Sequence, residues 1–276
     1  MIQNIRTIGA SIMGSIISLD KKLCTNRRLI NTCDIQRHSG GGITMKMLAL
    51  NGSGKGKNGN TDRILQPFLQ GARKAGAEIE TIYLKDKKIN HCSGCFSCWT
   101  KTLGSCVYKD DMQELLIKIL ESDIVVFASP LYYYSVTGIM KDFIDRMLPL
   151  HSREKALYNG HYIHQRHDDP NHLKKYVLIS NCGLPEYYNF SSLLEEFKLI
   201  THNNLIASVL RSQGGILQNE NLEDILSNYF AYVEKAGTEV VELGYITSET
   251  NEVLNKQLID QEVYVKNANE HWQFGD

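Results

Sequence analysis

Lys46-Met47-Leu48-Ala49-Leu50-Asn51-Gly52-Ser53-Gly54-Lys55-Gly56-Lys57-Asn58-Gly59-Asn60-Thr61 is the stretch that decides the fold. Residues 46–50 form a short apolar run that stops at a glycine-rich loop, the mark of a buried strand. Beyond the loop, Ile64, Leu65, Phe68 and Leu69 have helical spacing, and the helix predicted over 62–75 ends at Gly76, a residue suited to a C-cap. A strand that enters a helix through such a loop turns backbone N–H groups and the positive helix end towards an anion. Ser53, Asn58, Asn60 and Thr61 add side-chain donors, and Lys55 or Lys57 can add charge.

Three anion loops compete for this pattern. A nucleotide-hydrolysing P-loop has Gly54 and Gly59 at the right spacing but needs lysine where Asn60 stands. Gly54-x-Gly56-x-x-Gly59 matches the dinucleotide fingerprint. That turn should begin at the strand end, though, and an acidic residue should follow about 20 positions on. Neither condition is met. A loop that holds phosphate with hydroxyl and amide side chains, without an obligatory cation, fits best.

Outward from this loop the pattern alternates. Strands are predicted over 78–84, 123–128, 176–179 and 206–210, and helices over 112–120, 137–148, 190–200 and 222–243. Asp110 and Asp111 are placed to cap the helix at 112. The run Ile124-Val125-Val126-Phe127-Ala128 is near-continuously apolar, as a strand covered on both faces must be. The alternation predicts a doubly wound, five-stranded parallel sheet with helices on both faces. In the order 2-1-3-4-5, strands one and three meet at the switch point where ligands bind. The loop after strand three, Ser129-Pro130-Leu131-Tyr132-Tyr133-Tyr134, offers flat apolar faces with polar tips there.

The 276-residue chain carries a formal net charge of −1, so no global field draws it to nucleic acid or an anionic membrane. The apolar run at 8–19 is too short to span a bilayer and lacks a cleavage signal, which leaves a cytoplasmic protein as the expectation. Residues 1–44 have no amphipathic period and end in Ser39-Gly40-Gly41-Gly42. They are expected to be either leader sequence translated ahead of a start at Met45 or a disordered tail. The domain is expected over 45–244, with a helical extension over 245–276.

Four of the seven cysteines crowd together as Cys92-x2-Cys95-x2-Cys98-x7-Cys106. Three thiolates at this spacing can wrap one side of a cubane, with the fourth arriving later. Free thiols, a disulfide such as Cys98–Cys106, and a zinc site are the alternatives. His161, His164 and His167 recur every third residue but lie in a segment that reads as a loop or hairpin.

From Met45 onwards the chain resembles the NAD(P)H-dependent FMN reductase and iron-sulfur flavoprotein group of the flavodoxin-like superfamily. Leu50-Asn51-Gly52-Ser53 with Gly59-Asn60-Thr61, the Cys92–Cys106 cluster followed by Asp110-Asp111-Met112, and Ser129-Pro130-Leu131-Tyr132 through Gly138, Lys141 and Asp145-Arg146 carry the resemblance. Asn181-Cys182-Gly183 is similar to a third flavin-side loop. The resemblance implies FMN with its phosphate on Ser53, Asn58, Asn60 and Thr61 and its ring on Pro130, Leu131, Tyr132 and Tyr133, flanked by Cys182 and Gly183. It implies NAD(P)H as donor, a small quinone-, flavin-, nitro- or azo-type acceptor, and a homodimer or homotetramer. Catalysis then sits at flavin N5, with no protein acid or base. In the iron-sulfur branch Cys92, Cys95, Cys98 and Cys106 hold a [4Fe-4S] cluster, and the protein carries electrons from ferredoxin through the cluster and FMN. The near-neutral charge and the residues after 150 favour the enzyme over the carrier.

Overall fold

A computed structural model describes residues 44–158, 160–166 and 174–273. Residues 1–43, expected as a leader or tail, lie outside the described residues, as does His167. The domain described below begins at Thr44.

Five parallel strands form the central sheet: β1 (Lys46–Asn51), β2 (Glu78–Tyr83), β3 (Ile124–Pro130), β6 (Lys175–Asn181) and β7 (Leu205–Arg211). A separate antiparallel pair, β4 (His151–Tyr158) and β5 (His161–Arg166), lies between β3 and β6 in the chain. The sheet order is β2-β1-β3-β6-β7, the flavodoxin-like order once the separate ribbon is set aside. Strands β1 and β3 are direct neighbours, with Leu50 opposite Phe127 and Asn51 opposite Ala128.

Strand β3 explains its own sequence. Ile124, Val126 and Ala128 face one hydrophobic layer, and Val125 and Phe127 face the other. Alternate side chains leave a strand on opposite faces, so a strand covered on both sides has no polar position to spare. The first layer is closed by α1 (Asn60–Lys74) and α6 (Glu223–Glu242). The second is closed by α3 (Met112–Glu121), α4 (Gly138–Asp145) and α5 (Ser191–Ile200). A short helix, α2 (Ser97–Thr100), sits within the cysteine loop.

Helices α1 and α6 meet through glycine. A Cβ on Gly71 would fall 1.8 Å from the Glu234 carbonyl oxygen, and one on Gly237 would fall 1.9 Å from that of Phe68. The two backbones therefore approach closer than any side chain allows. Helix α6 buries Leu226, Tyr229, Val233 and Val240 along one stripe and exposes the other.

Two differences from the sequence reading matter for the site. The segment 158–172, read as a loop or hairpin, holds strand β5 of a ribbon that already begins at His151. Its strands are half-exposed and polar on both faces, so they carry no clean alternation to read. Asp111 occupies the N-cap position of α3 without a side-chain cap bond. Asp110 instead accepts from the Met112 N–H at 3.2 Å and serves a different partner described below.

At the C-terminal end, α7 (Ser248–Asn255) and α8 (Gln261–Gln273) pack onto the sheet edge. Buried Arg211 donates to the Leu254 carbonyl at 3.0 Å, and the Tyr264 hydroxyl donates to the Gly183 carbonyl at 2.6 Å. Among the described residues no helix is long and apolar enough to cross a membrane.

Candidate functional site

The loops after β1, β3, β6 and β7 meet at the C-terminal edge of the sheet. The β1 loop is shaped from within. The Ser53 N–H donates to the Asn51 side-chain oxygen at 2.9 Å, and the Asn51 amide donates to Asp62 at 3.1 Å. Asp62 also accepts from the Tyr83 hydroxyl at 3.0 Å. Burial first, and then the bond to Asp62, push the Tyr83 phenol up to about 12, so it stays a donor. Asn51 and Asp62 build the loop without being ligand candidates; the Asx-type turn after a strand is the local signal for the first, and nothing local marks the second.

Ser53 and Thr61 are buried at the base of this loop. The Ser53 hydroxyl accepts from the Lys55 N–H at 3.3 Å, and the Thr61 hydroxyl accepts from the Asn181 amide at 2.8 Å. A hydroxyl that accepts still has its own hydrogen to give. The Asn60 and Thr61 N–H groups precede the first bonds of α1, which Asp62 and Arg63 make to the Gly59 carbonyl, and they add to this donor set. At Gly54 no atom lies within 4 Å of a would-be Cβ, so the loop crown is open. Buried hydroxyl donors, a helix N-terminus and an open glycine crown suit a phosphate monoester.

Asn60 is used by the fold. Its amide donates to the Gly214 carbonyl at 2.7 Å, and its oxygen accepts from Gln218 at 2.7 Å. Asn58 is exposed on the outer turn of the loop. Lys57 lies over the Tyr83 ring, 5.5 Å from its centroid.

The β3 loop is tied to the β1 loop. The Gly52 N–H donates to the Ala128 carbonyl at 2.8 Å, and the Thr137 hydroxyl donates to the Gly52 carbonyl at 2.7 Å. Leu131 N–H donates to the Asn181 carbonyl at 2.8 Å, which fixes Pro130 and Leu131 beside the β6 loop. Tyr132 and Ser135 then close a tight turn through both backbone bonds, 2.9 and 3.1 Å. Its central residues, Tyr133 and Tyr134, have φ of 51° and 65°. This is the geometry of a type I′ turn, normally built from asparagine and glycine. Two tyrosines in the left-handed region are strained, and such strain is concentrated at functional sites. Tyr133 is 99% exposed at the tip.

In the β6 loop the Cys182 thiol belongs to the core. It bonds the Leu184 carbonyl at 3.5 Å, and burial pushes its pKa up, so it remains a thiol. Above Gly183 no atom lies within 4 Å of a would-be Cβ. Of this pair, the backbone rather than the sulfur is presented at the loop surface.

The cysteine motif forms a second locus. Cys92, Cys95, Cys98 and Cys106 line one pocket together with Arg146 and Pro149. All four are free thiols, so the Cys98–Cys106 disulfide is not formed. Burial pushes the Cys98 thiol up, and the thiols of Cys106, Cys95 and Cys92 push the same way. A thiol whose ionisation its three neighbours oppose is a donor that a cationic centre relieves. Among the described residues no three His, Cys, Asp or Glu side chains close on a single-ion site. Four cysteines lining one pocket match the ligand number of a [4Fe-4S] cluster. Trp99 braces the loop: it stacks on Phe96 at 5.4 Å and on His164 of β5 at 4.7 Å, and its indole N–H donates to the His151 carbonyl at 2.7 Å. His164 is thereby a packing residue, bonded to the Ser152 carbonyl at 3.1 Å.

Arg146 ties together the chain on either side of the cysteine motif. Its guanidinium pairs with Asp110 through both terminal nitrogens, at 2.8 and 2.9 Å, and donates to the Asn90 carbonyl at 2.7 Å. Burial opposes the Asp110 charge, but Arg146 and then Asn90 hold its carboxyl well below the usual range.

Known proteins bear directly on this arrangement. An iron-sulfur flavoprotein of Archaeoglobus fulgidus is 45% identical over 118 residues, 42% of this chain and 52% of that protein. A second iron-sulfur flavoprotein of the same organism is 42% identical over 102 residues, 37% of this chain and 48% of that protein. The chain thus spans about half the length of these curated relatives. The FMN-dependent NADH-azoreductase of Bacillus anthracis, solved with FMN, superposes with a TM-score of 0.54 over 72% of this chain and 100% of its own, at 16% identity. That likeness concerns the fold. Residues 45–170 match the family model described as NADPH-dependent FMN reductase. That stretch holds the β1 loop, the cysteine motif and the tyrosine turn.

Proposed function

We propose that this protein is an iron-sulfur flavoprotein, which passes electrons between a [4Fe-4S] cluster on Cys92, Cys95, Cys98 and Cys106 and FMN on the β1, β3 and β6 loops. The observation that carries the reading is the convergence of the four thiols on one pocket, in a chain whose relatives include proteins named iron-sulfur flavoproteins. Ser53 and Thr61 supply donors to the flavin phosphate. Pro130, Leu131 and Tyr132 supply the surface for its ring, and Gly183 supplies open backbone beside it. FMN exchanges electrons with donor and acceptor when bound, and the protein's part is to bind, orient and shield it. The cluster supplies one-electron exchange when bound, which suits a ferredoxin as the donor. This order of preference reverses the one drawn from the near-neutral charge and the residues after 150.

A second reading has the flavin reduced directly by NAD(P)H and reoxidised by a small quinone-, flavin-, nitro- or azo-type acceptor. The description of the matching family model favours it. Either reading is compatible with a homodimer or homotetramer in the cytoplasm. The absorption spectrum and iron and sulfide content of anaerobically reconstituted protein, followed by rapid mixing with NADH, NADPH and reduced ferredoxin, test both. Cluster absorption with bleaching by ferredoxin supports the first. Flavin alone, bleached by NAD(P)H, replaces it with the second.

A further inference from the structure

Arg146 is 1% exposed, and its Nε–H is a buried donor with no hydrogen-bond partner among the described residues. Both terminal nitrogens of the guanidinium are engaged. The two terminal nitrogens hold Asp110, and one of them also holds the Asn90 carbonyl. A guanidinium is planar and rigid, so fixing its two ends fixes the direction of the third donor. A buried donor left unpaired is costly, and native proteins rarely keep one without a use. Arg146 lines the same pocket as the four cysteines. Burial works against its charge, but the Asp110 bonds and the neighbouring Cys106 thiol hold its pKa above the ordinary arginine value.

We propose that Arg146 is the hydrogen-bond donor of the cysteine pocket, its Nε–H directed to the sulfur of Cys106, and that it raises the reduction potential of the cluster held there. The inference rests on the cluster reading given above. A reduced cluster carries one more negative charge than an oxidised one. A fixed cationic donor at a ligating sulfur therefore stabilises the reduced form more, and hydrogen bonds to sulfur are a recognised lever on potential. Asp110 acts one step further out: it holds the guanidinium in the orientation that leaves Nε pointing into the pocket.

The competing role for Arg146 is purely structural, a clamp that closes Asp110 and Asn90 onto the loop. Arg146→Lys separates the two roles, because lysine keeps a cation opposite Asp110 but has no Nε–H in the guanidinium plane. The measurement uses the full chain, prepared anaerobically and reconstituted with iron and sulfide. With iron and sulfide contents equal to wild type, the cluster of Arg146→Lys should become at least tenfold harder to reduce, a fall of about 59 mV for one electron. A second readout needs no variant. In wild-type protein grown with isotopically labelled arginine, the paramagnetic resonance of the reduced cluster should show coupling to one arginine nitrogen. This readout decides the matter if Arg146→Lys fails to hold its cluster. A fully loaded variant with unchanged potential, or absence of the nitrogen coupling, overturns the role of Arg146 and leaves the cluster reading standing. Iron and sulfide near zero in reconstituted wild-type protein overturns both.

Discussion

The side-chain amide of Asn181 donates to the hydroxyl of Thr61 at 2.8 Å, joining the end of β6 to the first turn of α1. The bond consumes an acceptor position on Thr61 and leaves its hydrogen to be given elsewhere. A residue 120 positions away in the chain thus orients a side chain of the phosphate loop.

Replacing Ser53 and Thr61 with alanine should each remove a donor to a charged phosphate, worth about 1.5–3 kcal/mol. The FMN dissociation constant should then rise roughly tenfold or more per substitution, since 1.4 kcal/mol is tenfold. Fluorescence titration of the apoprotein with FMN measures it. A double variant that keeps wild-type affinity would place the phosphate elsewhere.

Cys106→Ala should abolish the broad visible absorption of the reconstituted cluster and leave the flavin bands in place. The two sites are built on different loops, so the loss should not spread to FMN content. Loss of FMN together with iron would mean that the cysteine loop supports the flavin site.

The strained turn at Tyr133 and Tyr134 separates stability from binding. A left-handed conformation costs a non-glycine residue about 1–2 kcal/mol, which glycine avoids. Because Tyr133 is 99% exposed and makes no packing to lose beyond its contact with the Tyr134 ring, Tyr133→Gly should raise the melting temperature of the apoprotein. If the ring covers bound flavin, the same substitution should weaken FMN binding. A variant that is more stable and binds FMN as well as wild type would free Tyr133 from any role at the flavin.

Gly237→Ala should destabilise the domain without touching either site. The new methyl would sit 1.9 Å from the Phe68 carbonyl oxygen, so α1 and α6 must move apart. Overpacking of this kind costs about 1–3 kcal/mol, occasionally more. Chemical denaturation should show the loss, and a midpoint equal to wild type would mean that the two helices slide freely.

Glu239 gives a pH dependence with a defined sign. It accepts from the Thr247 N–H at 2.9 Å, the Thr247 hydroxyl at 2.9 Å and the Thr250 hydroxyl at 2.8 Å, anchoring the start of α7. Burial raises its pKa, but these bonds outweigh it and hold the carboxyl below its ordinary value. A group depressed in the folded state contributes fully above the unfolded carboxylate pKa, about 4.3, and loses that contribution as pH falls through the folded value. Glu239→Gln should therefore lower the melting temperature at neutral pH, and the gap to wild type should close on acidification below about pH 4. A gap that is constant from neutral to acid pH would mean that the charge contributes nothing.

Local sequence determined the strands, the helices and their order. The apolar run at Ile124 to Ala128 is continuous because β3 faces two layers, and the loop between Asn51 and Thr61 is polar and glycine-rich, with an open crown at Gly54. The cysteine spacing announced a redox or metal locus. These features are properties of residues near one another in the chain, and periodicity and turn chemistry report them directly. What only the tertiary structure decided is which distant residues share a contact. The β4–β5 ribbon has no alternation because neither face is fully buried. Helices α7 and α8 are anchored by Leu254 and Tyr264 to the ends of β7 and β6. Asp110, legible as a helix cap, is taken by Arg146, which has an unpartnered Nε–H and lines the same pocket as the four thiols. Such pairings depend on burial and direction in three dimensions, which a linear pattern does not carry.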